Sequence, residues 1–260
     1  MDTRFWGPSG WKLLHLIATA PPRRKTRRFF QLLPYVLPCK YCRASLTDYY
    51  AVDPVPTKGF AHWLYRIHNR VNGKLRDQHF LKTPNPPFAK VKAEYDQLYK
   101  APCTRGKMIG WDFLYSVVYT TPCKAVPTSP LPDAPPTLET PELRNRWNTM
   151  GREERIEYMS EWWDIIADVL PYESWRNAFR ATPYKRPSLD EGHKVVTEWL
   201  FQVEKHMCAT LNTESKHTSF GGLCRKLSTF QSKCGIQKTR KVKTCRSKQT
   251  LRKKRFLKEE

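Results

Sequence analysis

The chain has 260 residues, 40% of them hydrophobic, and a net charge of +22. That is enough apolar material for one sizeable core or two modest ones, and 9 Trp, 12 Tyr and 12 Phe exclude wholesale disorder. No stretch approaches the roughly 18 apolar residues of a transmembrane helix, and the short apolar run near the N-terminus lacks a small-residue cleavage pattern, so neither a membrane span nor a signal peptide is expected.

The charge is uneven. Residues 1–122 hold 20 Lys/Arg against 7 Asp/Glu, residues 123–204 hold 10 against 14, and residues 205–260 hold 16 against 3. A tail this basic attracts polyanions by neutralising phosphates and releasing counterions; the plainer reading is a solvated, partly disordered tail.

In chain order, the first predicted helix covers 6–20. Gly7, Pro8 and Ser9 mark its start, and Trp11, Leu14, His15 and Ala18 share one face. Helices follow over 25–36, over 39–50 (Pro38 suits its first turn), over 58–75 and, after the Pro-rich joint "TPNPPF", over 87–99. "GWDFLYSVVYTTPC" (110–123) reads as a helix ended by Pro122, and "AVPTSPLPDAPPTLETP", with 6 Pro in 17 residues, reads as a linker. A second helical region places Ile156, Met159, Trp163, Ile166 and Leu170 on one stripe over 152–170. Ser188 with Glu191 makes a capping-box pattern before Val195, Trp199, Val203 and Met207, which recur every four residues. Beyond 208 the apolar periodicity fades, and a loop-rich or disordered tail is expected. The pattern is all-α: a helical domain over 1–122, a linker over 123–140, a helical domain over 141–207 and a basic tail over 208–260. Domain boundaries tend to fall in Pro-rich stretches, so 1–122 is expected to fold by itself.

Cys39-Lys40-Tyr41-Cys42 is the only C-x-x-C. It could be half of a zinc site, a redox disulfide or two unrelated core thiols. Structural zinc usually takes two such knuckles, and the other six cysteines are singletons, so no metal site is assigned. A C-x-x-C at a helix N-terminus places its first thiol where unpaired backbone N–H groups stabilise a thiolate, which favours the redox reading. No βαβ context of the thioredoxin kind surrounds it. Trp11 and His15 are i, i+4 on one helix, and His68 and Asn72 are i, i+4 on another, so two apolar faces also carry hydrogen-bonding groups.

"WGPSGWKLLH", "LPCKYC" and "HNRVNGKL", in this order, resemble the Erv/ALR-type FAD-linked sulfhydryl oxidases, and "PNPPFAKVKAEY" resembles versions encoded by large cytoplasmic DNA viruses. The resemblance covers roughly residues 5–122. It implies a small helical bundle, commonly a homodimer, that holds FAD beside the C-x-x-C. It also implies that Cys39 and Cys42 oxidise protein dithiols, with electrons passing to molecular oxygen as hydrogen peroxide. Carried over by motif, Gly7, Trp11 and His15 contact FAD from the first helix. His68, Asn69, Val71, Asn72 and Leu75 hold the adenine and ribose end, and Tyr95 stands where the family has a packing Trp. Leu37 replaces a frequent Tyr and Asp77 a frequent Lys, so Lys74 or Arg76 is assigned to the phosphates. Family members often carry a second, mobile cysteine pair. Cys224 and Cys234 are the candidates here, with Cys208 and Cys245 as alternatives, and Cys103–Cys123 would be a structural bond; eight cysteines allow 105 pairings. The resemblance places the protein in host cytoplasm or virion. The rival reading is a basic nucleic-acid-binding or packaging virion protein without catalysis, resting on polyanion contact through "KTRKVKTCRSKQTLRKKR".

Overall fold

The computed structural model describes residues 1–122 and 129–231; among them there are helices and no strand. Helix α1 (Thr3–Thr19) begins earlier than expected because the Asp2 side chain accepts from the Arg4 backbone N–H, so Pro8 lies inside the helix. Next come α2 (Thr26–Val36), α3 (Lys40–Val52), α4 (Phe60–Asp77) and α5 (Phe88–Lys100), each within two residues of its predicted bounds. The short α6 (Pro102–Gly106) leads to α7 (Trp111–Tyr119). Gly110, at φ 99°, precedes α7, and a Cβ there would meet the Leu13 side chain at 2.6 Å. Only glycine therefore permits the close crossing of α7 and α1.

The second region contains α8 (Pro141–Trp147), α9 (Arg152–Val169), α10 (Glu173–Arg180), α11 (His193–Thr210) and α12 (Phe220–Thr229). The capping box at Ser188 and Glu191 is present, but it caps a 3-10 turn, Leu189–Glu191. Gly192, at φ 106°, separates that turn from α11. The break rotates the helix face: Val195 is 41% exposed, and Val196 with Leu200 enters the core beside Val203 and Met207. On α9 the buried stripe includes Trp162, which the predicted stripe omits.

One apolar core runs through both regions. Phe29 of α2 stacks on Trp162 with ring centroids 5.2 Å apart, Tyr35 stacks on Tyr158 at 4.0 Å, and Trp163 meets Trp199 of α11 edge-on at 5.5 Å. Of the tail expected from 208, residues 208–231 are described, and they are ordered rather than loose. Helix α12 buries Leu223 and Leu227, Phe230 stacks on Phe5 at 4.3 Å, and the Asp2 N–H donates to the Phe230 carbonyl at 2.8 Å. The Pro-rich segment also packs, with Leu131 buried and its N–H donating to the Trp147 carbonyl at 2.9 Å. The sequence boundary near 122 is thus not a boundary of packing, because α1, α2 and α7 share one core with α9 and α11. Removing the second region would bare that apolar face.

Trp162→Ala should therefore destabilise the whole described fold by about 3–5 kcal/mol, read as a drop in the urea midpoint with a single cooperative transition. An unfolding curve in which the N-terminal half melts unchanged would show two independent cores.

Candidate active site

Helix α2 ends at Val36, and Leu37 and Pro38 lead into Cys39, which is the N-cap residue of α3 in extended backbone. The first thiol therefore lies at the positive end of a helix, and Cys42 lies one turn on. Both cysteines are half-buried. The Cys39 thiol is pulled down to about 6. The side-chain hydrogen bond from Cys42 is the main cause, the Cys42 backbone N–H and the Arg43 charge add to it, and burial opposes them. A thiolate in the reduced pair is therefore favoured at this end of α3. Among the described residues no group of three His, Cys, Asp or Glu comes together as a metal site, so the pair has no third ligand there.

The second cluster joins α1, α4 and α5. His15 Nε2 and His68 Nδ1 are 3.0 Å apart, so one ring donates and the other accepts. Trp11 stacks on His68 at 3.9 Å and 8°, and Tyr95 stacks on His15 at 4.7 Å. Burial holds both imidazoles neutral, drawing His15 down to about 3, with His68 nearby adding to the effect, and His68 down to about 4. Tyr95 is pushed up to about 12 by burial. The result is a set of flat, uncharged rings.

Further along α4, Lys74 and Arg76 have no carboxylate partner among the described residues. Lys74 Nζ donates to the Ser45 hydroxyl at 2.6 Å, and Arg76 donates to Asn85 Oδ1 at 2.9 Å and to the Thr83 carbonyl at 3.3 Å. Asn72 donates to the same Asn85 oxygen at 3.1 Å. Ser45 is three residues after Cys42, so this bond docks the redox helix against α4. Asn69, Val71 and Leu75 are half-buried on α4. Gly7 lies one turn before Trp11 on α1, and a Cβ there would meet nothing within 4 Å.

The Erv1/Alr family model matches residues 8–96. The FAD-linked sulfhydryl oxidase of African swine fever virus (isolate Warthog/Namibia/Wart80/1980) is 32% identical over 80 residues, 27% of this chain and 67% of that protein. The putative FAD-linked sulfhydryl oxidase 347L of invertebrate iridescent virus 6 is 32% identical over 92 residues, 29% of this chain and 83% of that protein. The chain belongs to the Erv1/Alr family. The mitochondrial FAD-linked sulfhydryl oxidase ERV1 of Saccharomyces cerevisiae is 27% identical over 89 residues, and the match spans about half of that protein, 47% of its length. No solved structure matches.

The Erv1/Alr segment contains both clusters, and its residues fit FAD. Neutral stacked rings suit the flat heterocycles of a dinucleotide, and cations bonded only to neutral oxygens suit its phosphates. Of the residues assigned from sequence, Trp11, His15, His68 and Tyr95 come together, and Asn72, Arg76 and Lys74 line the adjoining stretch of α4. Ser45, Asn85 and Arg43 were not assigned from sequence; the one signal for Arg43 is its place directly after Cys42. Cys103 is exposed on α6, Cys208 is buried on α11 and Cys224 is half-buried on α12. Cys123, Cys234, Cys245 and the most basic part of the tail lie outside the described residues.

The histidine pair has a pH signature. Both imidazoles bind protons more weakly folded than unfolded, where the ordinary value is 6.5. Their contribution is present above about pH 6.5 and lost as pH falls toward 4, because the unfolded chain takes up the protons. In chemical denaturation at successive pH values, the urea midpoint should fall less steeply over this window in His68→Phe than in the parent chain. Parallel slopes would contradict the buried neutral pair.

Proposed function

We propose that this chain is a FAD-linked sulfhydryl oxidase that forms disulfides in protein dithiols through Cys39 and Cys42. The observation that carries the reading is the acidic Cys39 thiol, paired with Cys42 on a helix that Ser45 and Lys74 join to the flavin-motif helix. Among the described residues no helix is long and apolar enough to cross a membrane. Host cytoplasm or virion is the proposed location, and a second copy of the chain is a proposed partner.

The oxidised pair is the resting form. A substrate thiolate attacks Cys39 Sγ, the Cys39–Cys42 bond breaks, and Cys42 leaves with the electron pair. The second substrate thiol attacks the mixed disulfide at the substrate sulfur and expels Cys39. Its low thiol value makes Cys39 a fast leaving group in this step, and the Cys42 S–H donor stabilises the departing charge. The substrate has lost two electrons and two protons, and the pair has become a dithiol. Bound FAD would supply the two-electron acceptance that side chains lack, with molecular oxygen as the final acceptor and hydrogen peroxide as the product. His15, His68, Trp11 and Tyr95 would hold its ring systems, and Lys74 and Arg76 its phosphates. The neutral histidines orient; with values this low neither is an imidazolium acid at neutral pH.

The full chain should purify with flavin absorbance and oxidise dithiothreitol with oxygen uptake. Cys42→Ser should retain the flavin and lose turnover to background. Undiminished oxidation by Cys42→Ser, or a parent chain that cannot take up FAD, would overturn the reading.

A further inference from the structure

Among the described residues, Arg43 is a buried cation without a carboxylate partner. The residue is 5% exposed, Nη1 donates to the Leu37 carbonyl at 3.1 Å, Nη2 donates to Asn148 Oδ1 at 2.5 Å, and Nε is buried with no partner among the described residues. The acids of the neighbouring helices are engaged elsewhere. Glu142 accepts from the Tyr35 hydroxyl at 3.2 Å, and Glu154 pairs with Arg144 at 2.6 Å. The other cations at this end are the Met1 ammonium, Lys40, whose Nζ is 3.2 Å from the Ser129 carbonyl, and half-buried Arg155 of α9. The Met1 ammonium donates to the Pro38 carbonyl at 3.3 Å and also favours the Cys39 thiolate. Arg155 donates to the Tyr35 carbonyl, and burial, with the Arg43 charge adding to it, disfavours its own charge. An uncompensated buried charge is costly. Burial opposes the charge on Arg43, and the sulfurs of Cys39 and Cys42 favour it.

Asn148 reaches Arg43 from the other region of the chain. It follows α8 in the left-handed conformation at φ 57°, which Asn tolerates better than most residues. Its Nδ2 donates to the Ser129 carbonyl at 2.7 Å, the same oxygen that accepts from Lys40. The Asn148 amide is thus anchored on one side and holds the guanidinium on the other.

We propose that Arg43 is a positioning cation for the Cys39–Cys42 pair, and that the C-terminal helical region sets the redox poise of that pair by holding Arg43 through Asn148. When the pair is a dithiol, the Cys39 thiolate supplies the counter-charge that Arg43 lacks. When the disulfide forms, that anion disappears and Arg43 is left buried alone. The arrangement therefore stabilises the reduced pair and makes its disulfide a stronger oxidant of substrate thiols. The functional meaning rests on the thiol-oxidase reading, but the effect is a property of the dithiol and is measurable without flavin turnover.

The test uses the full chain, reduced and free of oxygen. The rate of Cys39 alkylation by iodoacetamide is followed against pH by peptide mass. The equilibrium with glutathione, in which dithiol plus oxidised glutathione gives disulfide plus two reduced glutathione, is titrated separately. Asn148→Asp is the deciding variant: it keeps size and backbone tolerance but puts a carboxylate on Arg43. The alkylation midpoint should rise by about half a pH unit or more, and the constant for disulfide formation should rise about twofold or more. Arg43→Gln should move both readings in the same direction; if it does not fold, Asn148→Asp decides alone. A merely structural Asn148–Arg43 contact would be strengthened by the new ion pair and would move neither reading. Superimposable profiles and equilibria in Asn148→Asp would overturn the proposal, whatever the flavin content or turnover of the chain.

Discussion

Phe29 and Phe30 are neighbours near the start of α2, and they bind the two halves of the chain to each other. Phe29 stacks on Trp162 of α9, while Phe30 packs on Phe60 and Trp63 of α4 at 5.6 and 5.4 Å. A helix buried on both sides cannot slide without opening a cavity on one of them, and close-packed interiors resist that strongly. Because α2 runs directly into Leu37, Pro38 and Cys39, this double burial sets where α3 begins. The location of the first thiol is a consequence of how aromatic rings pack two helices away.

Charge around the site is arranged by omission. The ring cluster of Trp11, His15, His68 and Tyr95 carries no ionised group near neutral pH, and Lys74, Arg76 and Arg43 are all bonded to neutral oxygens. Elsewhere the chain pairs its cations freely, as in Arg66 with Asp53 at 2.7 Å and Arg28 with Glu161 at 2.5 Å. A carboxylate beside Lys74 or Arg76 would repel phosphates, and one beside Arg43 would remove its influence on the thiols. The candidate site thus gathers cations whose described partners are neutral oxygens.

A different logic closes the far end. Glu204 of α11 is fully buried, yet its carboxylate accepts from the Tyr115 hydroxyl, from His217 Nδ1 at 3.0 Å, from the Ser215 hydroxyl at 3.0 Å and from the Lys216 N–H at 2.9 Å. Burial alone would raise its value, but these donors keep the net shift downward. A satisfied buried acid of this kind ties the loop after α11 to α7. From there α12 returns to α1, so the last described residues pack beside the first.

Helical periodicity made most elements legible, because amphipathic stripes such as Phe60–Trp63–Leu64–Ile67 arise from local spacing alone. The motif residues Trp11, His15, His68 and the Cys39–Cys42 pair were likewise readable, since i, i+4 spacing and a helix N-terminus are local properties. Helices α8 and α10 are too short to show a period, and Trp162 lay off the stripe that spacing alone suggested for α9. The Pro-rich linker looked like a domain boundary because composition reports stiffness and polarity, not what Leu131 or Ser129 will touch. Arg43 was visible only as a charge beside a cysteine. The amino-acid sequence by itself determined most of the longer helical segments and which side chains are candidates to bind a flavin and exchange thiols. Tertiary structure alone decided that one core spans the whole described chain and that Asn148, 105 residues away, holds Arg43. That contact depends on where two helices cross, and no local pattern encodes a crossing.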